Sequence, residues 1–184
     1  MLELLLNWDR DTFIYLNSLG IEDYDVFWSY VTNFATWIPL FILLVVLIFR
    51  AYPKQEAFRV LGTVVLTLAL VAALTGITKE WVARLRPNNT EEINTLIRIL
   101  KSPNGYSFFS GHSSSSFSIT TSIFLFVRDR FKWTWVFFLW PLLFAMSRIY
   151  VGVHYPLDLL VGAAVGISFA IIFYRMYHKV GMTK

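Results

Sequence analysis

The chain has 184 residues, of which 57% are hydrophobic and only 15% are charged. A soluble globular domain carries about 25% charged residues, so this composition argues against an ordinary soluble fold. The absence of cysteine excludes disulfides and thiolate chemistry. The net charge of +4 is modest, and no nucleic-acid partner is expected. The length predicts one membrane-embedded domain over residues 1–184.

The first predicted element is an amphipathic helix over residues 2–19. One side is apolar, and the other carries Glu3, Asp9, Arg10 and Asp11. The segment is too short and too charged to cross a bilayer, and it lacks the basic start of a signal peptide. We therefore predict an interfacial helix that lies along the membrane; the alternative is a loosely ordered tail.

Five later segments are long and apolar enough to predict transmembrane helices. They cover residues 26–49, 58–78, 111–127, 133–149 and 156–177. Pro39 is a candidate kink in the first span, and the third opens with the polar stretch "GHSSSS". The predicted fold is an all-α bundle of about five transmembrane helices plus the interfacial helix.

Lysine and arginine in the short connections predict the orientation of the bundle, because cytoplasmic loops are enriched in these residues. Three basic clusters fall at alternate ends: Arg50, Lys54 and Arg59; Arg128, Arg130 and Lys132; Arg175, Lys179 and Lys184. We predict that these ends face the cytoplasm, with the N-terminus outside. The small size favours a bacterial plasma-membrane protein.

Polar groups collect at the helix ends that this orientation places outside. They are Lys79, Arg86, Arg148, His112, His154 and Asp158. Charges near a membrane span are costly unless they pair, reach the interface or line a polar cavity. Three cations match a phosphomonoester dianion and the charge that develops in its transition state. Ser110 and Gly111 precede a predicted helix, whose free N–H groups favour an anion.

The two histidines suit chemistry at phosphorus. One imidazole can attack the phosphorus while the other protonates the leaving oxygen. Asp158 follows His154 by about one helical turn, so its carboxylate can fix the imidazole tautomer. Taken singly, the cations could anchor span ends, the serines could cap a helix, and the aspartate could complement a helix dipole. Those separate explanations do not account for the gathering of all these groups on one side.

The groups form three motifs in chain order: Lys79 with Arg86-Pro87, then Ser110-Gly111-His112, then Ser147-Arg148 with His154 and Asp158. This pattern resembles the signature of the phosphatidic acid phosphatase type 2 superfamily. That family includes membrane lipid-phosphate phosphatases, glucose-6-phosphatase and vanadium haloperoxidases. The resemblance extends from Lys79 to Asp158, with one departure: Phe109 stands where the family usually has proline.

The resemblance implies a role for each residue. His154 would be the nucleophile that forms a phosphohistidine, Asp158 would orient it, and His112 would protonate the leaving oxygen. The phosphoryl oxygens would be held by Lys79, Arg86, Arg148, Ser110, the backbone at Gly111, and Ser147, whose hydroxyl could instead bond within the loop. No metal or other cofactor is implied. Arg84 fits no motif and is predicted to be a surface anchor.

The predicted partners are the bilayer and a lipid-phosphate substrate, while the sequence leaves the oligomeric state open. We rank undecaprenyl pyrophosphate first, because it is delivered at the outer face; phosphatidylglycerol phosphate, phosphatidic acid and lipid A phosphate follow. Rival functions are a lipid phosphotransferase, a non-catalytic anion- or lipid-binding protein and a haloperoxidase. Residues 88–105 are either a lid that lies on the lipid surface or a plain connecting helix.

Overall fold

The computed structural model describes residues 1–181, and this part of the chain contains helices and connecting segments but no strand. The all-α prediction is therefore confirmed. Lys184, which contributed to the predicted orientation, lies outside the described residues. The α-helices are α1 (Leu2–Ser18), α2 (Asp25–Val31), α3 (Ile38–Ala51), α4 (Lys54–Val82), α5 (Gly111–Val127), α6 (Leu139–Tyr150) and α7 (Pro156–Gly181).

Three segments of the described chain are long and apolar enough to cross a membrane. They are Phe34–Ala51, Lys54–Asn89 and Pro156–Lys179, with mean hydropathies of 2.3, 2.4 and 2.1. The helices α5 and α6 are shorter, with 17 and 12 residues. Five spans and their orientation therefore stay predictions.

Two predicted spans are not continuous α-helices. In the first, α2 ends at Val31, and the side chain of Asn33 accepts a hydrogen bond from the Ala35 N–H to start a 3₁₀ turn. Pro39 produces no kink, because it lies in the first turn of α3, where its missing N–H leaves no bond unmade. In the fourth, a 3₁₀ segment over Lys132–Phe138 precedes α6.

The connection from α4 to α5 differs from the predicted helix. Residues 91–97 form turns and a bend and residues 98–100 are not helical, so the apolar side chains of the segment do not share one helical face. Ile93 is buried against α1 and the start of α7, whereas Leu96 is 64% exposed. The segment is therefore held to the protein by part of its apolar side chains.

The packing of α5 against α7 forms the centre of the bundle. A Cβ atom added at Gly162 of α7 would lie 2.7 Å from the Ser110 carbonyl oxygen, and one added at Gly166 would overlap the carbonyl oxygen of Ser114. Only glycine permits this approach of the two backbones. Glycines in the second and third turns of α7 therefore let this helix pack directly on the start of α5.

Candidate active site

The N-termini of α5 and α7 meet in the protein interior. The Ser110 backbone N–H donates to the Asp158 carbonyl oxygen at 2.9 Å, and Ser113 Oγ donates to the Leu159 carbonyl oxygen at 2.7 Å. Ser110 also caps α5, because its Oγ accepts the Ser113 N–H at 3.3 Å. Phe109, which replaces the expected proline, is itself buried. Two helix N-termini therefore point their positive dipole ends at one region.

His154 lies in the turn before α7 and is hydrogen bonded on both ring nitrogens. Nδ1 lies 3.2 Å from Asp158 Oδ2, and Nε2 lies 3.2 Å from Arg86 Nη1. A guanidinium has only donors, so Nε2 must accept and Nδ1 must carry the proton that is donated to the carboxylate. The lone pair of the ring is therefore on Nε2, on the side of the cations.

The surroundings of His154 keep its imidazole neutral. Burial lowers the pKa of His154 well below the usual 6.5, and the positive charges of Arg148, Arg86, Lys79 and Arg84 lower this pKa further. The side chain is almost completely buried, with 1% of its surface exposed. An unprotonated, desolvated imidazole beside several cations has the properties of a nucleophile for an anionic substrate.

The other two predicted phosphate-binding cations approach from different helices. Lys79, near the end of α4, donates from Nζ to the Tyr106 carbonyl oxygen at 2.8 Å. Arg148, at the end of α6, donates from Nη1 to Thr32 Oγ1 at 2.6 Å, and its buried Nε atom has no hydrogen-bond partner among residues 1–181. Arg86 donates from Nε and Nη1 to the carbonyl oxygens of Gly105 and Val153. Backbone and hydroxyl oxygens thus hold the cations in place, and within the described part of the chain none of the three forms an ion pair with a carboxylate.

His112 occupies the first turn of α5, between two aromatic rings. Its ring centroid lies 5.4 Å from that of Phe34 and 4.9 Å from that of Phe144. Phe144 lies about one helical turn before Arg148 in α6, and the Ser110 N–H, two residues before His112, bonds to the Asp158 carbonyl oxygen. The structure therefore brings both histidines and the three cations of the motifs into one region.

Ser147 and Gly111, two further predicted phosphate-binding residues, differ from the cations in that neither offers a free side-chain donor. Ser147 is buried, and its Oγ donates to the Phe144 carbonyl oxygen at 2.6 Å within α6. A hydroxyl has one proton to donate, so this bond favours the within-chain role that the sequence left open. Gly111 leaves its N–H at the half-buried start of α5, where a bound anion can approach the backbone.

Arg84 is not the surface anchor that the sequence predicted. Its side chain is 19% exposed and forms ion pairs with Asp158 and with Asp9 of α1. Asp9, predicted on the polar side of α1, is completely buried. The signal in the sequence was the i, i+4, i+8 spacing of Asp9, Phe13 and Asn17, which are the three buried residues of α1.

Comparison with known proteins identifies the family. The sequence model of the PAP2 superfamily matches residues 60–182, about two thirds of the chain. The chain belongs to this superfamily. It is a phosphatase of the PAP2 superfamily with membrane-type helices, and the resemblance seen in the three motifs is confirmed.

The similar proteins include phosphatases that differ in named substrate. A lipid A 4'-phosphatase from Bacteroides thetaiotaomicron is 29% identical over 97% of this chain and 81% of its own length. An undecaprenyl-diphosphatase from Sulfolobus acidocaldarius is 33% identical over 71% of this chain and 58% of its own length. The crystal structure of a transmembrane PAP2-type phosphatidylglycerolphosphate phosphatase from Bacillus subtilis has the same fold. Its TM-score is 0.75 at 19% identity, and the match covers 96% of this chain and 88% of that one.

Proposed function

We propose that this PAP2 phosphatase removes a phosphate group from a membrane lipid through a phosphohistidine on His154, without a metal ion. The hydrogen bonds of His154 support this proposal most directly. Asp158 holds Nδ1, and the lone pair on Nε2 faces Arg86, at the place where a phosphoryl group would be bound. The three cations supply the charge neutralisation that a metal provides in other phosphatases.

The reaction has two displacement steps. His154 Nε2 attacks phosphorus and forms the N–P bond while the bond to the lipid oxygen breaks; His112, protonated in the substrate complex, donates its proton to that oxygen. In the second step, His112 takes a proton from water, whose oxygen attacks phosphorus as the N–P bond breaks. Asp158 stabilises the positive charge that develops on the His154 ring in the first step.

The substrate that we favour is a phosphate monoester of lipid A. The relative named as a lipid A 4'-phosphatase matches 97% of this chain, including α1, whereas the undecaprenyl-diphosphatase matches 71%. This order differs from the one based on sequence, which placed undecaprenyl pyrophosphate first. Phe34, which is 37% exposed and adjoins His112, offers the leaving group an aromatic face that suits a sugar ring.

Purified protein in detergent with EDTA tests the activity and the substrate together. We expect vanadate-sensitive phosphate release, with the highest kcat/KM on lipid A among lipid A, undecaprenyl pyrophosphate, phosphatidylglycerol phosphate and phosphatidic acid. His154→Ala should abolish turnover, and His112→Ala should lower it by about 10²–10⁴-fold, the usual weight of general acid catalysis. His178→Ala is the control, because His178 lies near the far end of α7.

Near-normal turnover by His154→Ala would disprove the phosphohistidine. Release of phosphate in water without a lipid acceptor distinguishes a hydrolase from a phosphotransferase. Tight lipid binding with no turnover on any substrate of the panel would favour the non-catalytic alternative.

A further inference from the structure

Arg84 joins two buried carboxylates that come from opposite ends of the chain. Its Nη1 donates to Asp158 Oδ1 at 2.8 Å, and its Nη2 donates to Asp9 Oδ2 at 2.6 Å. Both carboxylates are completely buried. The two aspartates therefore share one guanidinium, and α1 is connected through it to the carboxylate that holds His154.

Each oxygen of the two carboxylates has a defined partner. Besides Arg84, Asp9 accepts the Leu157 N–H on Oδ1 at 2.8 Å, so α1 supplies a cap to the first turn of α7. Asp158 accepts the Tyr155 N–H on Oδ2 at 3.1 Å, in addition to His154 Nδ1. Rotation of the Asp158 carboxylate would break contacts with Arg84, Tyr155 and His154 together.

Aromatic rings hold Arg84 in this position. Its guanidinium carbon lies 3.9 Å from the ring centroid of Tyr155, a cation–π contact. The ring of Tyr155 packs edge-to-face on Phe13 of α1, with a centroid distance of 5.4 Å. The same helix thus provides the second carboxylate and part of the wall behind the arginine.

We propose that Asp9 and Arg84 are positioning residues of the reaction, which act on His154 through Asp158. The proposal rests on the proposed function, because it assigns a purpose to the orientation of His154. The superfamily match begins at residue 60, so Asp9 lies outside the region that defines the family.

The charges explain why a second carboxylate matters. The His154 ring gains positive charge as Nε2 bonds to phosphorus, and the negative charge of Asp158 stabilises it. The positive charge of Arg84 also interacts with the Asp158 carboxylate, but this guanidinium is shared between Asp158 and Asp9. If Asp9 is neutralised, Arg84 pairs with Asp158 alone, and less of the Asp158 charge remains for the developing imidazolium.

The first test is Asp9→Asn in the full chain, since asparagine keeps the shape and can still accept the Leu157 N–H. The expected result is a fall in kcat of about 10–100-fold, the usual weight of an outer group that orients an imidazole ligand. KM should stay within about threefold, because the phosphate-binding cations are untouched. Asp11→Asn is the matched control: it is the same change on the same helix, at an exposed residue paired with Arg10. It should leave kcat unchanged.

The second test asks whether Asp9 acts through Arg84. Arg84→Met should lower kcat at least as much as Asp9→Asn, because Asp158 then loses the bond that fixes its Oδ1 and two buried carboxylates are left without their shared cation. Arg84→Lys, which keeps the charge, should restore part of the loss. In the Arg84→Met background, Asp9→Asn should have no further effect on kcat, because the connection is already broken.

Equal kcat for Asp9→Asn, Asp11→Asn and wild type would overturn the proposal, and so would additive losses in the double variant. If Asp9→Asn does not fold, the Arg84 variants decide: wild-type kcat, or a loss confined to KM, contradicts a positioning role. These outcomes are separate from failure of the proposed function, which would appear as an inactive wild type or an active His154→Ala.

Discussion

His154 combines complete burial with a position among cations, and both features act on its protonation. An unfolded histidine titrates near pH 6.5, whereas the pKa of the folded His154 lies well below that value because of burial and the neighbouring positive charges. Between these two pKa values the unfolded chain binds one proton more than the folded chain. Acid therefore favours unfolding in this window.

This difference predicts a pH-dependent stability. As the pH falls below 6.5, His154 should cost about 1.4 kcal/mol of folding free energy per pH unit, until its folded pKa is reached. The measurement is the unfolding temperature of wild type and His154→Gln in detergent between pH 7.5 and 5. The wild type should lose more stability than the variant; parallel curves would show that His154 is not held neutral by the fold.

Contacts between motif residues could be predicted from the sequence where the two residues are close along the chain. The four-residue separation of His154 and Asp158 corresponds to one helical turn, and their side chains do meet. Arg84 could not be placed in this way, because its partner Asp9 is 75 residues away in the chain. The burial of Asp9 depends on how α1 docks, and a charged residue on an amphipathic helix is ordinarily assigned to water.

At the scale of the helices, the close contact of α5 and α7 depends on glycine. The two glycines that face α5 have no room for a side chain, whereas a Cβ atom at Gly62 or Gly76 of α4 would meet no atom of the described residues within 4 Å apart from its own helix backbone and chain neighbours. Helix packing therefore requires glycine at these two positions of α7. At Gly62 and Gly76 of α4, no comparable close approach of a neighbouring helix compensates for the low helix propensity of glycine among the described residues.

Alanine substitution should lower stability at a glycine of α7 but not at a glycine of α4. Gly166→Ala places its methyl group against the Ser114 carbonyl oxygen, so α5 and α7 must separate, and both the unfolding temperature and the activity should fall. Gly62→Ala is the matched control and should be neutral or stabilising by up to about 1 kcal/mol. An unaffected Gly166→Ala variant would mean that the helices have room that the structure does not show.

The bounds of regular helices were more predictable than their interruptions. The predicted third span, 111–127, matches α5, because a serine cap begins it and a basic segment follows it. The interruption between α2 and α3 comes from the local side-chain bond of Asn33, which hydropathy does not register. In the turns at residues 91–97, Ile93 and Ile97 pack with apolar residues of α1 and of the start of α7, contacts that the apolar spacing of the segment does not reveal.

For the whole molecule, the basic clusters predict a cytoplasmic end and an outward-facing active site. The absence of cysteine makes this testable with single cysteines in cells. A membrane-impermeant thiol reagent should label Asn104→Cys, in the connection near the site, and should spare Gln55→Cys, in the first turn of α4. Both positions are exposed, so accessibility within the protein does not bias the comparison. The reverse labelling pattern would place the site in the cytoplasm.

The contact between α1 and the start of α7 also bears on how the enzyme is made. Asp9 bonds to the Leu157 N–H across 148 positions of the chain, so this contact cannot form until the ribosome has produced the start of α7. On the proposed mechanism, a nascent or truncated copy lacks a completed catalytic centre. Hydrolysis of membrane lipids would then begin only in chains whose synthesis has reached α7.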